Sequence, residues 1–259
     1  MRIAGWFVLG MAFGPVMASA APACVASSGA STGALLELYT SEGCNSCPPA
    51  DRWFAKLAAT ADPRTLSMLA FHVDYWDEIG WPDRFAQHSF TVRQGQRVRA
   101  GGSATVYTPQ VMLSSRLDLR WNQPDQVATA IRQAQARPAE VAIKLRAIAQ
   151  AGNWHVELDA VPMPGTHPAG ALYLALYEDG LSSAVNAGEN AGVLLHHERV
   201  VRGLWGPWPI AAAGASRRLQ VTAPARADLD RLGLTAFVQD DKTGTTLQAL
   251  SLPLSACLH

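Results

Sequence analysis

The sequence predicts an α/β domain followed by an all-β domain. A C-x-x-C motif, Cys44-Asn45-Ser46-Cys47, lies between two apolar stretches of strand length, 34–40 and 66–73. The residues between the second cysteine and the second stretch have helical apolar spacing. Beyond residue 140, apolar and polar residues alternate, which is typical of antiparallel strands with one solvated face. The α/β domain is predicted at about 31–137 and an antiparallel β-sandwich at about 140–257.

A strand-helix-strand unit surrounds the C-x-x-C motif. Pro48 and Pro49 suit the first turn of a helix, where their missing N–H groups cost little. Asp51 adds negative charge to that turn, and Asp62-Pro63 ends the helix. The second strand is almost entirely apolar, as expected for a parallel strand that is buried on both faces.

The rest of the first domain is predicted as helix, two strands and a final helix. The ranges are a helix at about 84–99, strands at 106–113 and 117–120, and a helix after residue 122. Residues 21–33 are small and polar and are interpreted as a linker.

The resulting order, with C-x-x-C at the first helix and Thr-Pro opening the third strand, resembles the thioredoxin fold. This resemblance implies that Thr108 faces the dithiol and that the Thr108–Pro109 peptide bond is cis. It also implies a buried acid beneath the dithiol that helps to deprotonate the resolving cysteine. Glu37 is the loosely matching position, and the alternative is a solvated glutamate at a strand end.

The second domain is predicted to contain a hairpin and several further strands. The hairpin joins 141–147 to 154–158 across a turn, and the other strands are at 171–177, 193–203, 217–223, 233–239 and 245–252. The His196-His197 pair suggests a metal site. However, adjacent strand residues point to opposite faces, so the favoured interpretation is one packed and one exposed histidine.

The N-terminus has the features of a cleaved export signal. Arg2 is a short positive region, residues 3–16 are mostly apolar, and Ala18-Ser19-Ala20 fits a cleavage site. The signal peptide is therefore assigned to 1–20 and the mature chain to a periplasmic or secreted, oxidising compartment. A membrane anchor and a lipoprotein anchor on Cys24 are the alternatives. No later apolar run reaches the length of a membrane span.

Charge gives no indication of a nucleic-acid partner. Lys plus Arg and Asp plus Glu are both 21, so there is no basic surplus. No run of like charge indicates a tail or a membrane-binding patch.

Four cysteines permit three disulfide pairings, and the sequence alone does not choose among them. The Cys44–Cys47 pair is geometrically easy. Cys24 and Cys257 lie near the two ends of the mature chain, and chain ends are often close in space. A structural disulfide between these two is therefore slightly favoured over two unpaired thiols.

Cys44 is the predicted nucleophile and Cys47 the resolving cysteine of thiol–disulfide exchange. A cysteine at a helix N-terminus has a lowered pKa, and its thiolate attacks a disulfide to form a mixed disulfide. The alternatives are a static disulfide or half of a zinc site, but zinc needs two more ligands and there is no second C-x-x-C. No metal and no cofactor is assigned.

The residues around the two cysteines predict an intermediate reduction potential. Asn45 and Ser46 carry no charge to stabilise a thiolate, and Glu42 opposes ionisation of Cys44 if it lies close.

His72, Asp74 and Asp77 follow the second strand at the edge where α/β sheets bind ligands. With Trp76 and neighbouring aromatic residues they are expected to line a substrate groove or, together with the dithiol, to bind a metal. The alternative is a packed insertion, which is favoured for Asp77.

Several longer segments resemble a family of exported bacterial proteins known as domain of unknown function 1223. They are the stretch 38–51, Phe71-His72-Val73-Asp74-Tyr75-Trp76-Asp77, Tyr107-Thr108-Pro109-Gln110 and Gly188-Glu189-Asn190-Ala191-Gly192 with the following histidines. The resemblance implies a thioredoxin-like fold and leaves the reaction and the substrate open.

The function predicted from the sequence is thiol–disulfide exchange on other exported proteins, with an unidentified redox partner. Thr108 and Pro109 would present backbone to an extended substrate. The alternatives are a binding module with a permanent Cys44–Cys47 disulfide and a copper or other metal carrier.

Overall fold

The computed structural model describes residues 23–117, 119–150 and 152–258, which form a mixed α/β fold dominated by strands. The expected signal peptide, 1–20, lies outside these residues. Three α-helices have the bounds α1 Pro48–Ala58, α2 His88–Ala100 and α3 Pro124–Gln135. The strands are β1 Ala23–Ser27, β2 Ala34–Thr40, β3 Leu66–His72, β4 Gln110–Leu113, β5 Val141–Gln150, β6 Asn153–Pro162, β7 Ala171–Glu178, β8 Leu181–Ala184, β9 Leu194–His197, β10 Val200–Pro209, β11 Ala215–Thr222, β12 Leu232–Gln239 and β13 Thr246–Pro253.

One seven-stranded sheet contains strands from both halves of the chain. Its order is β13-β12-β7-β10-β3-β2-β4. β3 pairs in parallel with both β2 and β10, and the other pairs in this sheet are antiparallel. A four-stranded antiparallel sheet has the order β1-β5-β6-β11, and β8 pairs with β9 alone.

The β2-α1-β3 unit forms because its strands are apolar on both faces. All seven residues of β2 are buried. Leu36 and Leu38 pack with Phe54 of α1 and with α3, whereas Leu35 and Tyr39 pack on the opposite face with Phe90 of α2. Helices α1 and α3 therefore cover one face of the sheet, and α2 covers the other.

The second core lies between the four-stranded sheet and strands β7, β12 and β13. Alternate residues of β5 and β6 are buried there, including Leu145 and Trp154. They meet Leu174 of β7 and Leu250 of β13. The alternating pattern of the sequence thus predicts these strands and their buried faces.

Three predicted strands differ from the observed ones. The strand predicted at 106–113 is shorter, because β4 begins at Gln110, after the cis Thr108–Pro109 bond. Residues 117, 119 and 120 form no strand, because Leu117 packs with the α2 cluster and Leu119 with the α1 cluster. The predicted strand 193–203 is instead β9 and β10. Arg199 has a φ of 56°, a left-handed conformation that breaks an extended chain.

The segment expected to be a linker contains a strand. β1 pairs antiparallel with β5, and Cys24 of β1 forms a disulfide with Cys257. This is the pairing that the sequence slightly favoured, and it joins residues 233 positions apart. Among the described residues, no helix is both long and apolar enough to cross a membrane.

Replacing both residues as Cys24→Ser/Cys257→Ser is expected to lower the free energy of unfolding by about 2–4 kcal/mol, because the disulfide restricts the unfolded chain. Urea denaturation at equilibrium measures this change, and the double variant leaves no unpaired thiol. A denaturation midpoint equal to that of the wild type would contradict a stabilising role.

Candidate functional site

The Cys44–Cys47 disulfide lies at the N-terminus of α1. The two Cα atoms are 5.5 Å apart, and Cys47 is the residue that precedes the helix. The turn is closed by hydrogen bonds from the Cys44 N–H to the Ser41 carbonyl and from the Cys47 N–H to the Cys44 carbonyl, both 3.2 Å. Both cysteines are 0% exposed, so the disulfide is not in contact with solvent.

Thr108 and Pro109 directly precede β4, which pairs with β2, and their peptide bond is cis, as predicted. Gln110, the next residue, pairs with Tyr39 near the end of β2. Trp76 links the two segments. Its Nε1 donates to Thr108 Oγ1 at 2.8 Å, and its Cβ lies close enough to Gly43 that a side chain there would have its own Cβ only 3.0 Å away.

His72 is fully buried and therefore does not line an open groove, contrary to the sequence prediction. Its Nδ1 lies 2.6 Å from Oδ2 of Asp83, which also accepts a hydrogen bond from the Glu42 N–H at 2.8 Å. Burial opposes a charge on the imidazole, but the Asp83 carboxylate outweighs it and raises the pKa of His72. Burial likewise disfavours ionisation of Asp83, yet His72 keeps the pKa of Asp83 lowered.

Glu42 connects this pair to the second half of the chain. Trp81 Nε1 donates to Glu42 Oε2 at 2.8 Å, and His197 Nε2 of β9 lies 3.4 Å from Glu42 Oε1. Burial opposes ionisation of Glu42, but the hydrogen bond to His197 contributes to a lowered pKa. His197 is buried and its ring stands edge-on to that of His72, with centroids 4.9 Å apart, whereas His196 is exposed.

Asp51 is the buried acid on the same side of the sheet as the disulfide. It follows Cys47 by four residues on α1, so both side chains project from one face of the helix. Thr40 Oγ1 donates to Asp51 Oδ1 at 2.9 Å, and burial raises the pKa of Asp51. The sequence shows Asp51 only as charge in a first helical turn, because the buried strand end at Thr40 is known only from the fold.

Glu37 does not fit the proton-relay role expected of it. It points to the α2 face of the sheet, away from α1, because side chains alternate along β2. Its two oxygens accept hydrogen bonds from Arg93 Nε at 3.1 Å and Arg97 Nε at 2.8 Å. Burial raises the pKa of Glu37, but the two arginines outweigh it and the pKa is lowered overall. Glu37 is therefore a structural anion.

The side chain of Asp74 reaches the first turn of α2 and not the disulfide. Its carboxylate contacts His88 Nδ1 at 2.9 Å and accepts a hydrogen bond from Thr91. Asp77 accepts a hydrogen bond from the Asp83 N–H at 3.0 Å, which agrees with the packed role favoured for it.

Within the described chain, no three side chains of histidine, cysteine, aspartate or glutamate are arranged to hold a metal ion.

The loop between β8 and β9 covers the disulfide turn. Asn190 Nδ2 donates to the carbonyl oxygens of Glu42 at 2.8 Å and Cys44 at 3.0 Å, and Glu189 Oε2 accepts the Asn45 N–H at 3.2 Å. Asn190 is 6% exposed. Local sequence patterns do not reveal this contact, because it joins residues almost 150 positions apart.

Asp83→Asn is expected to destabilise the protein by about 3–5 kcal/mol, because it leaves His72 buried without its anion. Because the pKa of His72 is raised in the folded state, the pair contributes fully to the free energy of unfolding below about pH 6.5. This contribution is lost as the pH rises through the folded-state pKa of His72. Because the pKa of Asp83 is lowered in the folded state, the contribution is also complete only above about pH 3.9. It is lost as the pH falls through the folded-state pKa of Asp83. The difference from wild type is therefore largest between these values.

Urea denaturation across this pH range tests the prediction. Glu157→Gln, at a partly exposed acid that binds Arg146, is the matched control and should cost less than about 1 kcal/mol. A flat pH dependence of the difference for Asp83→Asn would show that the pair is not ionised.

Two solved structures share this fold. One is a crystal structure of protein AGR_C_4864 from Agrobacterium tumefaciens, with 22% identity, a TM-score of 0.63, and coverage of 87% of this chain and 95% of that chain. The other is HBP35 of Porphyromonas gingivalis, with 15% identity, a TM-score of 0.63, and coverage of 88% and 76%. At these identities the likeness concerns the fold alone.

No curated protein matches the sequence. A family described as "Protein of unknown function (DUF1223)" matches residues 35–239, which is most of the chain and includes the disulfide turn, the His72–Asp83 pair and the loop that covers them. The chain belongs to this family.

Proposed function

We propose that the protein is an exported thiol–disulfide oxidoreductase whose N-terminal half is thioredoxin-like. One observation carries the proposal: Cys44 and Cys47 begin the helix of a parallel β2-α1-β3 unit, beside a cis Thr108–Pro109 bond. A helix N-terminus stabilises a thiolate through its free amides and its dipole. In such a site Cys44 attacks and Cys47 resolves.

In the reducing direction, the Cys44 thiolate attacks one sulfur of a substrate disulfide, and the other substrate sulfur leaves as a thiolate. The Cys47 thiol then transfers its proton to the Asp51 carboxylate and attacks Cys44 Sγ. The second substrate thiolate leaves, so the substrate gains two electrons and Cys44–Cys47 becomes a disulfide. The same steps in reverse oxidise a substrate. An exported thiol protein is the class of redox partner that resets the pair.

Asp51 is the proposed proton acceptor because of its position and its burial. It lies one helical turn after Cys47, and Thr40 orients its carboxylate. Burial raises the pKa of the Asp51 carboxyl and so brings it closer to the pKa of a thiol. A smaller difference between the two pKa values favours proton transfer from the thiol to the carboxylate. His72 and His197 line the same small packing gap as Asp51.

Export is supported by the two disulfides of the described chain, Cys24–Cys257 and Cys44–Cys47, because disulfides persist in oxidising compartments. The periplasm or the exterior is therefore the proposed location, and other exported proteins are the proposed substrates.

A binding module with a permanent Cys44–Cys47 disulfide is the second candidate. Complete burial of both cysteines favours it, because exchange requires in-line access to a sulfur atom. The two candidates differ in whether the disulfide is ever opened in the cell.

Cys47→Ser is expected to accumulate mixed disulfides with exported proteins, because Cys44 can attack but nothing resolves the product. Acid quenching, alkylation and non-reducing electrophoresis reveal them. Cys44→Ser is the matched control and should trap nothing. If the Cys47→Ser protein forms no mixed disulfide in cells, the exchange proposal is contradicted and the binding module is favoured.

Asp51→Asn is expected to slow the resolving step by about 100-fold at neutral pH, since it removes the general base. The reduced protein is mixed with a chromogenic aromatic disulfide, and release of the second aromatic thiol is followed by stopped flow. Because burial raises the Asp51 pKa, ionised Asp51 costs stability, so the asparagine variant should be at least as stable as wild type.

Asp62→Asn is the control, because Asp62 is a surface acid whose partner is Arg64. Equal resolving rates for Asp51→Asn and Asp62→Asn would remove Asp51 from the mechanism.

A further inference from the structure

The loop that joins β8 to β9 is attached to the rest of the molecule more weakly than the sheets beneath it. β8 and β9 form a two-stranded sheet, with β8 bonded only to β9 in the strand order of the described chain. An isolated two-stranded hairpin is at best marginally stable. His197 and Leu195 anchor β9 because they are buried, whereas residues 186–189 of the loop are exposed. We call residues 186–193 the lid loop.

The lid loop lies directly on the disulfide turn. Asn190 Nδ2 donates hydrogen bonds to the carbonyl oxygens of Glu42 and Cys44, and the Glu189 carboxylate accepts one from the Asn45 N–H. Gly188 lies against residues 79–81 with a φ of +71°, and a Cβ there would be 3.2 Å from Trp81 Cβ. The loop therefore packs closely on residues 79–81 and is linked to the disulfide turn by these three hydrogen bonds.

These links can be exchanged for water at low cost. Backbone carbonyl oxygens released by Asn190 become hydrated, so each lost hydrogen bond costs only a modest net free energy. Segments with few buried contacts open locally without global unfolding. The strands β2 and β3 on either side of this turn and helix, by contrast, are fully buried.

We propose that the lid loop closes over Cys44–Cys47, that Asn190 is its latch, and that the disulfide reacts only when the loop is displaced. With the loop in this position, both cysteines are 0% exposed. It protects the disulfide from small thiols and admits a protein partner that displaces Asn190. This inference deepens the proposed exchange function, but it concerns access to a bond and is tested without assuming exchange activity.

The test is the rate at which a water-soluble phosphine reduces the disulfide. The phosphine is oxidised to its oxide with oxygen from water, and Cys44 and Cys47 become thiols. Samples are acid-quenched, alkylated and cleaved after glutamate, because cleavage after Glu37 separates these two cysteines from Cys24 for mass spectrometry.

Asn190→Asp, which keeps the size but loses the donor, and Asn190→Ala are expected to raise the reduction rate by about 5- to 30-fold. Asn186→Asp and Asn186→Ala are the matched controls, since Asn186 is an exposed asparagine of the same loop, and their rates should equal that of wild type. Wild-type rates in both Asn190 variants, or an equal rise in the Asn186 variants, would overturn the latch.

Hydrogen exchange of the wild-type protein keeps the proposal testable if the Asn190 variants do not fold. Peptides covering 43–47 and the lid loop are expected to exchange together, with little dependence on denaturant, and faster than peptides of β7 and β12. Exchange of both segments only through global unfolding would overturn the lid. A fast-reducing Asn190→Ala protein that traps no substrate would support the lid and contradict the exchange function.

Discussion

The pairing of β10 with β3 is the constraint on which the arrangement of the site depends. Val200 lies beside Ala70, and the Ala70 N–H donates to the Arg199 carbonyl at 2.8 Å. This contact joins the strands of the first half to those of the second in one sheet. Because β9 immediately precedes β10, the same contact brings His197 to the buried acids and the lid loop to the disulfide turn. The C-terminal half thereby completes a site whose cysteines belong to the N-terminal half.

Two buried ionic clusters lie on opposite faces of this sheet, one built on arginines and the other on histidines. On the α2 face, two arginines satisfy both oxygens of Glu37, and Arg93 also stacks over Phe71, so this cluster fixes α2 to the sheet. On the α1 face, Asp83 pairs with His72 Nδ1, and His197 Nε2 meets Glu42 Oε1 only at 3.4 Å; among the described residues, His72 Nε2 is buried without a hydrogen-bond partner. Unsatisfied buried groups are costly, and such sites are often functional. The histidine cluster is the one that adjoins the cysteines, because the Glu42 N–H donates to Asp83 two residues before Cys44.

Features that depend on local sequence were predictable, and those that depend on distant pairing were not. Strand 34–40 matched β2, and the cis Thr108–Pro109 bond was confirmed, because apolar runs and a strand-opening proline are local signals. Helix α2 begins four residues later than expected, at His88, since residues 83–86 form a turn closed on Asp83 and Gln87 is extended. His197 and Asn190 were missed as site residues because their roles arise only when β10 lies beside β3, and Asp51 was missed because its burial against Thr40 is known only from the fold.

The central claim is that Cys44–Cys47 is a reversible redox pair, and its reduction potential tests this most directly. The full chain is equilibrated in glutathione buffers of graded ratio, trapped with an alkylating agent, and assayed for the oxidised fraction of this pair. If Cys44–Cys47 is a reversible redox pair, we expect it to be reduced and reoxidised reversibly, with an intermediate midpoint potential between about −120 and −230 mV. A pair that stays oxidised below about −300 mV, the range of structural disulfides, or that is reduced only when the protein unfolds, would contradict a redox role for this pair.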